Sequence, residues 1–285
     1  MTDGRLLGAR RIRELFDAHG IRPHKELGQN FVIDPNTIRK VIDACGDLSE
    51  QSVLEIGAGA GSLTLGLAGV ARKVLAIEFD GRVVPALRES LAGIDNVEVM
   101  EADAMRLDYA SIDATALVAN LPYNIAVPLV VTVLESAPQI ASLTVMTQRE
   151  VGERLAAAPG SKAYGQVSVL VGHWANAKVV ARVSRKAFFP VPTVDSVLVR
   201  MDRRATPVVD YECLKRTVRA AFAQRRKTLR NSLATLVDSA DTAEQLVRRA
   251  GVDPGVRPER VPLEGWVAVA TELAPGPPDG GRSTP

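Results

Sequence analysis

A glycine-rich turn between a short apolar strand and a helix sets the strongest limit on the fold. The strand predicted at residues 52–56 runs into Gly57, Gly59 and Gly61, and a helix is expected to begin at Ser62. Glycine in such a turn permits a tight bend and a close approach of the backbone to a ligand. The turn therefore indicates an α/β domain with a small-molecule site at the carboxyl end of this strand, although a purely structural turn is the alternative.

Strands and helices alternate along the chain after this turn. Five strands are predicted at 52–56, 73–77, 97–99, 116–119 and 142–146, with helices at 62–68, 82–91, 125–134 and 150–157. Two later strands, 177–184 and 194–201, are joined by a short connection and are expected to pair antiparallel. From residue 210 onward the pattern is helical. The prediction is a Rossmann-like α/β sheet of seven strands, whose last pair is antiparallel, with a small all-helical C-terminal domain.

The domain boundary is expected near residues 203–208. Residues 1–205 are predicted to form the sheet domain, with an N-terminal helix inside residues 1–35, and residues 206–273 are predicted to form the helical domain. Residues 274–285 contain seven Pro or Gly in twelve positions. That composition predicts a disordered tail.

Several classes of protein are disfavoured by composition. Two cysteines stand far apart and only three histidines are present, so neither a disulfide framework nor a metal site is expected. The N-terminus has no apolar signal segment, and the longest uncharged stretch, residues 114–134, is interrupted by Asn120, Pro122 and Pro128. We therefore expect a cytoplasmic protein without a membrane segment.

Charge is divided unevenly along a chain whose formal net charge is only +2. Residues 41–120 contain 13 acidic and 5 basic residues, whereas residues 154–233 contain 16 basic and 4 acidic residues. The acidic half favours a small cationic ligand, and the basic half favours a polyanion such as nucleic acid. The residues expected to contact phosphates are Arg225, Arg226, Lys227 and Arg230.

Carboxylates follow two neighbouring predicted strands. Glu78 ends the second strand, where it can accept hydrogen bonds from ribose hydroxyls, and Asp103 follows the third, where it can reach an adenine amino group. A dinucleotide site would need glycine at position 62, which is Ser, and no P-loop string occurs. The remaining candidate is S-adenosylmethionine, whose sulfonium is cationic and which carries no phosphate.

The fourth predicted strand ends in the tetrapeptide Asn120-Leu121-Pro122-Tyr123. The lone pair of an adenine N6 amine is delocalised into the ring, so a catalyst must hold both N–H groups and turn the nitrogen toward a methyl donor. The side-chain oxygen of Asn120 and the carbonyl of Leu121 can accept those hydrogens. Pro122 stiffens the turn, and Tyr123 offers a face on which the base can stack. A proline turn with a core tyrosine is the structural alternative.

With these motifs in order, the sequence resembles the ribosomal RNA adenine N6,N6-dimethyltransferases over residues 22–270. The matching strings are Leu27-Gly28-Gln29-Asn30-Phe31, residues 53–64, Glu78, Asp103, residues 120–124, residues 188–196 and Arg225–Asn231. The resemblance implies a class I methyltransferase sheet that uses S-adenosylmethionine and no metal. It also implies that residues 1–35 include a segment that covers the cofactor.

The resemblance further implies particular roles. The cofactor contacts would be Asn30, Val32, Gly57, Gly59, Glu78, Asp103 and Asn120, where Val32 replaces a leucine frequent in the family. Asn120 and Tyr123 would hold the target base, with Phe188 approaching it beside Tyr123. The implied substrate is a pair of adjacent adenosines in a hairpin loop near the 3′ end of small-subunit rRNA, within an assembling 30S particle. No obligate protein partner is expected.

Three other functions remain open on the residues alone. Asn-x-Pro-Tyr chemistry also serves enzymes that methylate a DNA adenine or a glutamine side chain. A non-catalytic RNA-binding or assembly factor could retain this fold. A nicotinamide dehydrogenase is the weakest alternative, because of Ser62.

Overall fold

The structure is a computed structural model that describes residues 6–24, 28–122 and 125–274. The chain divides into two compact units. The first contains residues up to Ala156 together with Ala175–Arg203, and the second contains Ala157–Trp174 together with the chain from Arg204 onward. The predicted division at residue 205 differs in one segment, because residues 157–174 add apolar side chains to the core of the second unit. Of the predicted tail, residues 275–285 lie outside the described residues.

The first unit is built on a mixed sheet. Its strands are β1 Phe31–Val32, β2 Ser52–Ile56, β3 Lys73–Glu78, β4 Val97–Glu101, β5 Ala116–Asn120, β6 Ser142–Gln148, β7 Ala175–Val183, β8 Phe188–Phe189 and β9 Ser196–Arg203. Seven of them form one sheet in the order β4-β3-β2-β5-β6-β9-β7. The strands from β4 to β6 in this order are parallel, and β9 is antiparallel to both of its neighbours. The predicted seven-stranded sheet with an antiparallel last pair is confirmed.

Helices accompany this sheet. They are α1 Ala9–Ala18, α2 Pro35–Cys45, α3 Ser62–Ala68, α4 Val84–Ser90, α5 Ala126–Ser136 and α6 Arg149–Leu155. Helix α2 was not predicted, although its start carries a clear local signal. The Asp34 carboxylate accepts hydrogen bonds from the backbone N–H groups of Asn36 and Thr37, and Pro35 occupies the first helical turn.

The central strands are apolar on both faces because helices cover both faces of a parallel sheet. Every residue of β2 is buried, and so are the first four residues of β5. The backbone polar groups of these strands pair within the sheet, and the polar side chains of Glu78 and Asn120 lie where β3 and β5 end.

A second, two-stranded antiparallel ribbon was not predicted. Phe31 of β1 lies opposite Phe189 of β8, and Val32 lies opposite Phe188. The predicted connection between the last two strands of the main sheet therefore contains a strand of its own. The ribbon fixes the carboxyl end of the segment that precedes the sheet.

The second unit is helical, in agreement with the prediction. Its helices are α7 Gln166–Trp174, α8 Tyr211–Ala223, α9 Leu229–Leu233, α10 Ala240–Arg249 and α11 Leu263–Leu273. Their apolar faces surround Trp266, which has no solvent exposure. The Asp210 and Ser239 side chains cap α8 and α10. In the described part of the chain, no helix combines the length and hydropathy needed to span a bilayer.

Candidate active site

A cavity of about 310 Å³ in the first unit lies at the carboxyl ends of β2, β3, β4 and β5. Parallel strands end at the same edge of a sheet, so side chains that follow different strands meet there. Most of the predicted site residues line this single cavity. They are Asn30, Val32, Gly57, Gly59, Glu78, Asp103, Asn120, Leu121 and Pro122.

The glycine turn forms one wall of the cavity. Gly59 has a φ of +57°, a conformation that a side chain disfavours. A Cβ atom at this position would also stand 2.8 Å from Cδ1 of Phe31, so the ring of Phe31 packs directly over the turn. The requirement for glycine here is therefore both conformational and steric.

Glu78 is tied to the same turn. Its Oε2 accepts a hydrogen bond from the Gly59 N–H at 2.7 Å, and its Oε1 accepts one from the Asp80 N–H at 2.9 Å. Burial raises the pKa of Glu78, and these two backbone hydrogen bonds oppose the rise. Each carboxylate oxygen keeps a second lone pair with which it can accept a hydrogen bond from a ligand.

Asp103 has a more exposed position at the end of β4. Its Oδ1 accepts a hydrogen bond from the Met105 N–H at 2.9 Å, and its Oδ2 lies 3.5 Å from Nε of Arg106. These contacts orient the carboxylate at the cavity wall. Phe79 and Met105 also line the cavity while remaining exposed, so they lie at its opening.

Glu55 is the most unusual polar group of the cavity, and the sequence analysis gave it no role. Its side chain is only 1% exposed, and neither carboxylate oxygen has a hydrogen-bond partner among the described residues. Burial raises the pKa of Glu55 to about 8, although the nearby Thr64 hydroxyl favours the charged form. An unpaired buried carboxyl is costly unless a ligand compensates it. The sequence did carry a signal for this group, because Glu55 is an acidic residue within a strand that is otherwise largely apolar.

The cavity as a whole is acidic. Four acidic side chains line it, from Glu55, Glu78, Asp80 and Asp103, and no lysine, arginine or histidine does so among the described residues. With a pKa of about 8, Glu55 is mostly protonated at neutral pH and would ionise when a cation binds beside it. Such a lining attracts a cation and disfavours a phosphate. The donor set therefore suits a ligand that carries positive charge together with hydroxyl groups.

Asn120 ends β5 with a defined amide orientation. Its Nδ2 donates a hydrogen bond to the backbone carbonyl of Asn30 at 2.9 Å. That bond fixes the direction in which the amide nitrogen points, and no described residue donates a hydrogen bond to Oδ1. Asn120 therefore offers an acceptor at the cavity wall.

The residues after Asn120 extend this acceptor edge. The Leu121 N–H donates to the Met146 carbonyl at 3.0 Å, which fixes the peptide, while Pro122 has no N–H to donate. Within the described residues, no donor occupies the Leu121 carbonyl. Tyr123, which was predicted to stack on the base, lies outside the described residues.

Phe188, which the resemblance implied as a neighbour of the target base, is a buried residue of β8. Its side chain is 1% exposed and belongs to the apolar core of the first unit, opposite Val32 in the ribbon. The ring therefore packs among apolar side chains in this structure. Alternation in β8 turns Phe188 inward and leaves Phe189 half-buried. The role that the resemblance implied for Phe188, beside Tyr123 at the target base, stays a prediction. The Arg13 guanidinium lies 5.6 Å from the centre of the Phe189 ring.

The predicted phosphate contacts lie in and beside the turn between α8 and α9. Arg225, Arg226 and Lys227 are exposed, and neither Arg226 nor Lys227 has an ion-pair partner among the described residues. Arg225 instead donates to the Lys162 carbonyl at 2.9 Å and lies 3.6 Å from Glu259.

Arg230 is the most extensively paired of these four cations among the described residues. Its guanidinium contacts Asp241 at 2.5 Å and Glu244 at 3.0 Å, both on α10. These ion pairs join α9 to α10. They also partly neutralise the Arg230 guanidinium, so it would attract RNA phosphates less strongly than an unpaired cation. The exposed cations of the turn without an ion-pair partner among the described residues are therefore Arg226 and Lys227.

Two further cavity residues were missed as functional groups. Gln29 was expected at the cofactor only as part of the covering segment and received no role of its own, and Asp80, two positions after Glu78, received none. Sequence spacing cannot show that they touch, since 51 positions separate them. Their contact is a product of the fold.

Comparison with known proteins places this site in a family context. The model of the ribosomal RNA adenine dimethylase family matches residues 20–274. The ribosomal RNA small subunit methyltransferase A of Leifsonia xyli subsp. xyli is 43% identical, with alignment of 95% of this chain and 99% of that protein. The protein of the same name from Geobacillus thermodenitrificans is 39% identical over 93% of this chain and 96% of its own length.

Solved structures agree at the level of the fold. A dimethyladenosine transferase from Plasmodium falciparum superposes with a TM-score of 0.75 at 24% identity, covering 84% of this chain and 95% of that one. The 23S rRNA methyltransferase ErmE gives a TM-score of 0.68 at 30% identity, covering 86% and 99%. With a family model spanning most of its length and relatives aligned almost end to end, this chain belongs to the ribosomal RNA adenine dimethylase family.

Proposed function

We propose that this protein transfers methyl groups from S-adenosylmethionine to N6 of two adjacent adenosines near the 3′ end of small-subunit rRNA, giving N6,N6-dimethyladenosine. Family membership supports the reaction class, and the names of the relatives support the small subunit as the target. The observation that carries the proposal is the hydrogen bond from the Asn120 amide nitrogen to the Asn30 carbonyl, which leaves the amide oxygen as an acceptor beside an acidic cavity.

The cavity suits the proposed methyl donor. Its carboxylates complement a ligand with a sulfonium and an ammonium group, and the orphaned Glu55 carboxyl is a buried group that such charge would compensate. When bound, S-adenosylmethionine supplies an electrophilic methyl group on sulfur. Glu78 and Asp103 would hold its hydrogen-bonding groups, and the turn at Gly57 and Gly59 would let it approach the backbone.

The chain's own contribution to chemistry is the orientation of the target amine. The Asn120 Oδ1 and the Leu121 carbonyl would accept the two N6 hydrogens, so that the nitrogen lone pair points toward the methyl group. No strong base is required before transfer, since the nitrogen becomes acidic once it is alkylated. We assign Tyr123 the role of stacking on the base, which is worth about 1–3 kcal/mol in single-strand binders.

Substrate binding would rest on shape and charge. A loop adenine is cheaper to extract from its stack than a paired one, which favours a hairpin loop as the target. Arg226 and Lys227 would contact phosphates without reading sequence. We place the reaction on an assembling small subunit in the cytoplasm, with a role in subunit maturation.

Nucleoside analysis tests this function. Under-methylated small subunits, free rRNA, DNA and protein are incubated with the enzyme and isotopically labelled donor, and the digested products are analysed by mass spectrometry. The proposal predicts labelled N6,N6-dimethyladenosine from small-subunit RNA and none after Asn120→Ala. Label confined to DNA or to a protein side chain, or equal label with the variant, would refute it.

A further inference from the structure

The segment that carries Asn30 is tied to the loop after β3 by a hydrogen-bonded side chain. Nε2 of Gln29 donates to Oδ2 of Asp80 at 2.8 Å, and Oε1 of Gln29 accepts from the backbone N–H of His24 at 2.8 Å. Both ends of the Gln29 amide are therefore engaged. The first contact joins two parts of the chain that are 51 positions apart.

Arg82 holds Asp80 in place for this contact. Its Nε donates to Oδ1 at 2.8 Å and its Nη2 donates to Oδ2 at 2.5 Å, which is the bidentate arrangement that fixes a carboxylate most firmly. Arg82 lowers the pKa of Asp80 to about 2, so the carboxylate stays charged in any physiological medium. The remaining Nη1 of Arg82 lies 2.7 Å from Nε2 of His24, which closes a ring of contacts.

The catalytic candidate Asn120 depends on the same segment. Asn30 directly follows Gln29, and its carbonyl is the acceptor of the Asn120 Nδ2 hydrogen bond. On the other side of Asn30, the ribbon pairing of Phe31 with Phe189 anchors the chain. The chain is therefore fixed on both sides of the Asn30 carbonyl: by the hydrogen bonds of Gln29 before it and by the strand pairing of Phe31 after it.

We propose that His24, Gln29, Asp80 and Arg82 form a polar clasp that fixes the Asn30 carbonyl and thereby sets which end of the Asn120 amide faces the target amine. If the carbonyl were displaced, the amide could rotate by half a turn and present N–H groups to the N–H groups of the base. Asp80 and Arg82 are therefore positioning residues. The catalytic part of this inference rests on the proposed function.

Arg82 gives the cleanest test because it does not line the cavity. Arg82→Met removes the bidentate contact and leaves every described cavity residue unchanged. Arg88→Met is the matched control, since Arg88 lies on α4, six positions further along the chain, and its one hydrogen bond among the described residues is to the Val99 carbonyl, at 3.5 Å. Arg82→Lys keeps the positive charge but cannot make the bidentate contact with Asp80, so its kcat should lie between those of Arg82→Met and the wild type.

Three quantities are measured for each variant: amide hydrogen exchange of residues 28–33, kcat on under-methylated small subunits, and the calorimetric Kd for S-adenosylmethionine. For Arg82→Met we expect exchange to rise and kcat to fall, each about tenfold, while Kd changes less than about threefold. Gln29→Leu should give a similar loss, and the double variant should lose no more than the stronger single variant, because both changes open one clasp.

Unchanged exchange in Arg82→Met would overturn the clasp, and raised exchange with unchanged kcat would overturn its positioning role. Additive losses in the double variant would also contradict a single unit. If the wild-type protein methylates no adenine, the proposed function fails separately, and the exchange measurement still decides whether the clasp holds the segment.

Discussion

Binding of the methyl donor should depend on pH through Glu55. The carboxyl is buried without a hydrogen-bond partner, and its pKa is raised to about 8. A cationic donor in the same cavity would favour the ionised form, so binding should release a proton from Glu55 at neutral pH. Donor affinity should therefore rise with pH and level off above pH 8.

The magnitude follows from the fraction of Glu55 that is already ionised. With a pKa of about 8, roughly 3% is ionised at pH 6.5 and half at pH 8. If the donor binds only the ionised form, its affinity rises about sixteen-fold across this interval, or about 1.6 kcal/mol. Above pH 8 less than a further twofold gain remains.

Isothermal calorimetry across pH 6–9 measures this effect in the wild type and in Glu55→Gln. The glutamine variant should lose the part of the pH dependence that comes from Glu55 and keep the part that comes from Glu78, whose pKa is also raised by burial. Glu98→Gln serves as the control, since Glu98 is an exposed residue of β4 paired with Lys73 at 3.1 Å. An equal slope in the wild type and in Glu55→Gln would refute the reasoning.

Three further changes test other parts of the site. Glu78→Ala should weaken donor binding at least about tenfold in calorimetry, because it removes the acceptor of the Gly59 and Asp80 N–H groups as well as a ligand contact, and an unchanged Kd would contradict this. Gly59→Ala should lower the free energy of unfolding in urea by about 1–3 kcal/mol, through positive φ and the clash with Phe31. Gly93→Ala, which has positive φ but open space, should cost only about 1 kcal/mol, so equal losses would argue against the steric part. Reversing Arg226 and Lys227 to Glu should reduce the salt slope of RNA binding by about 2 and spare donor affinity, whereas an unchanged slope would exclude this turn from the interface.

Much of the site was predictable because its residues lie at the carboxyl ends of parallel strands. Parallel strands end at one edge, so Glu78, Asp103 and Asn120 were expected together although they are distant in sequence, and the structure places them around one cavity. The glycine turn was recognisable because it follows the first of these strands and precedes a predicted helix.

The features that could not be predicted depend on long-range packing. A two-residue strand such as β8 carries too little pattern to reveal its partner, so the burial of Phe188 was not foreseen. Arg230 was indistinguishable from its neighbours in a basic run, and only the fold brings Asp241 and Glu244 to it. The segment 157–174 was assigned to the sheet domain because its neighbours in sequence belong there, yet Tyr164 bonds to Val261 in the second unit.

The central claim is that the Asn120 amide orients the target nitrogen and contributes more to the rate than to donor binding. Single-turnover methyl transfer to under-methylated small subunits, at saturating donor, measures the rate directly for the wild type and for Asn120→Ala. The account predicts a loss of about 100-fold or more in rate, comparable to the removal of one key polar contact in other active sites, with a donor Kd within about fivefold of the wild type. A variant that transfers methyl groups at the wild-type rate, or one whose slow turnover is fully restored by adding more donor, would contradict it.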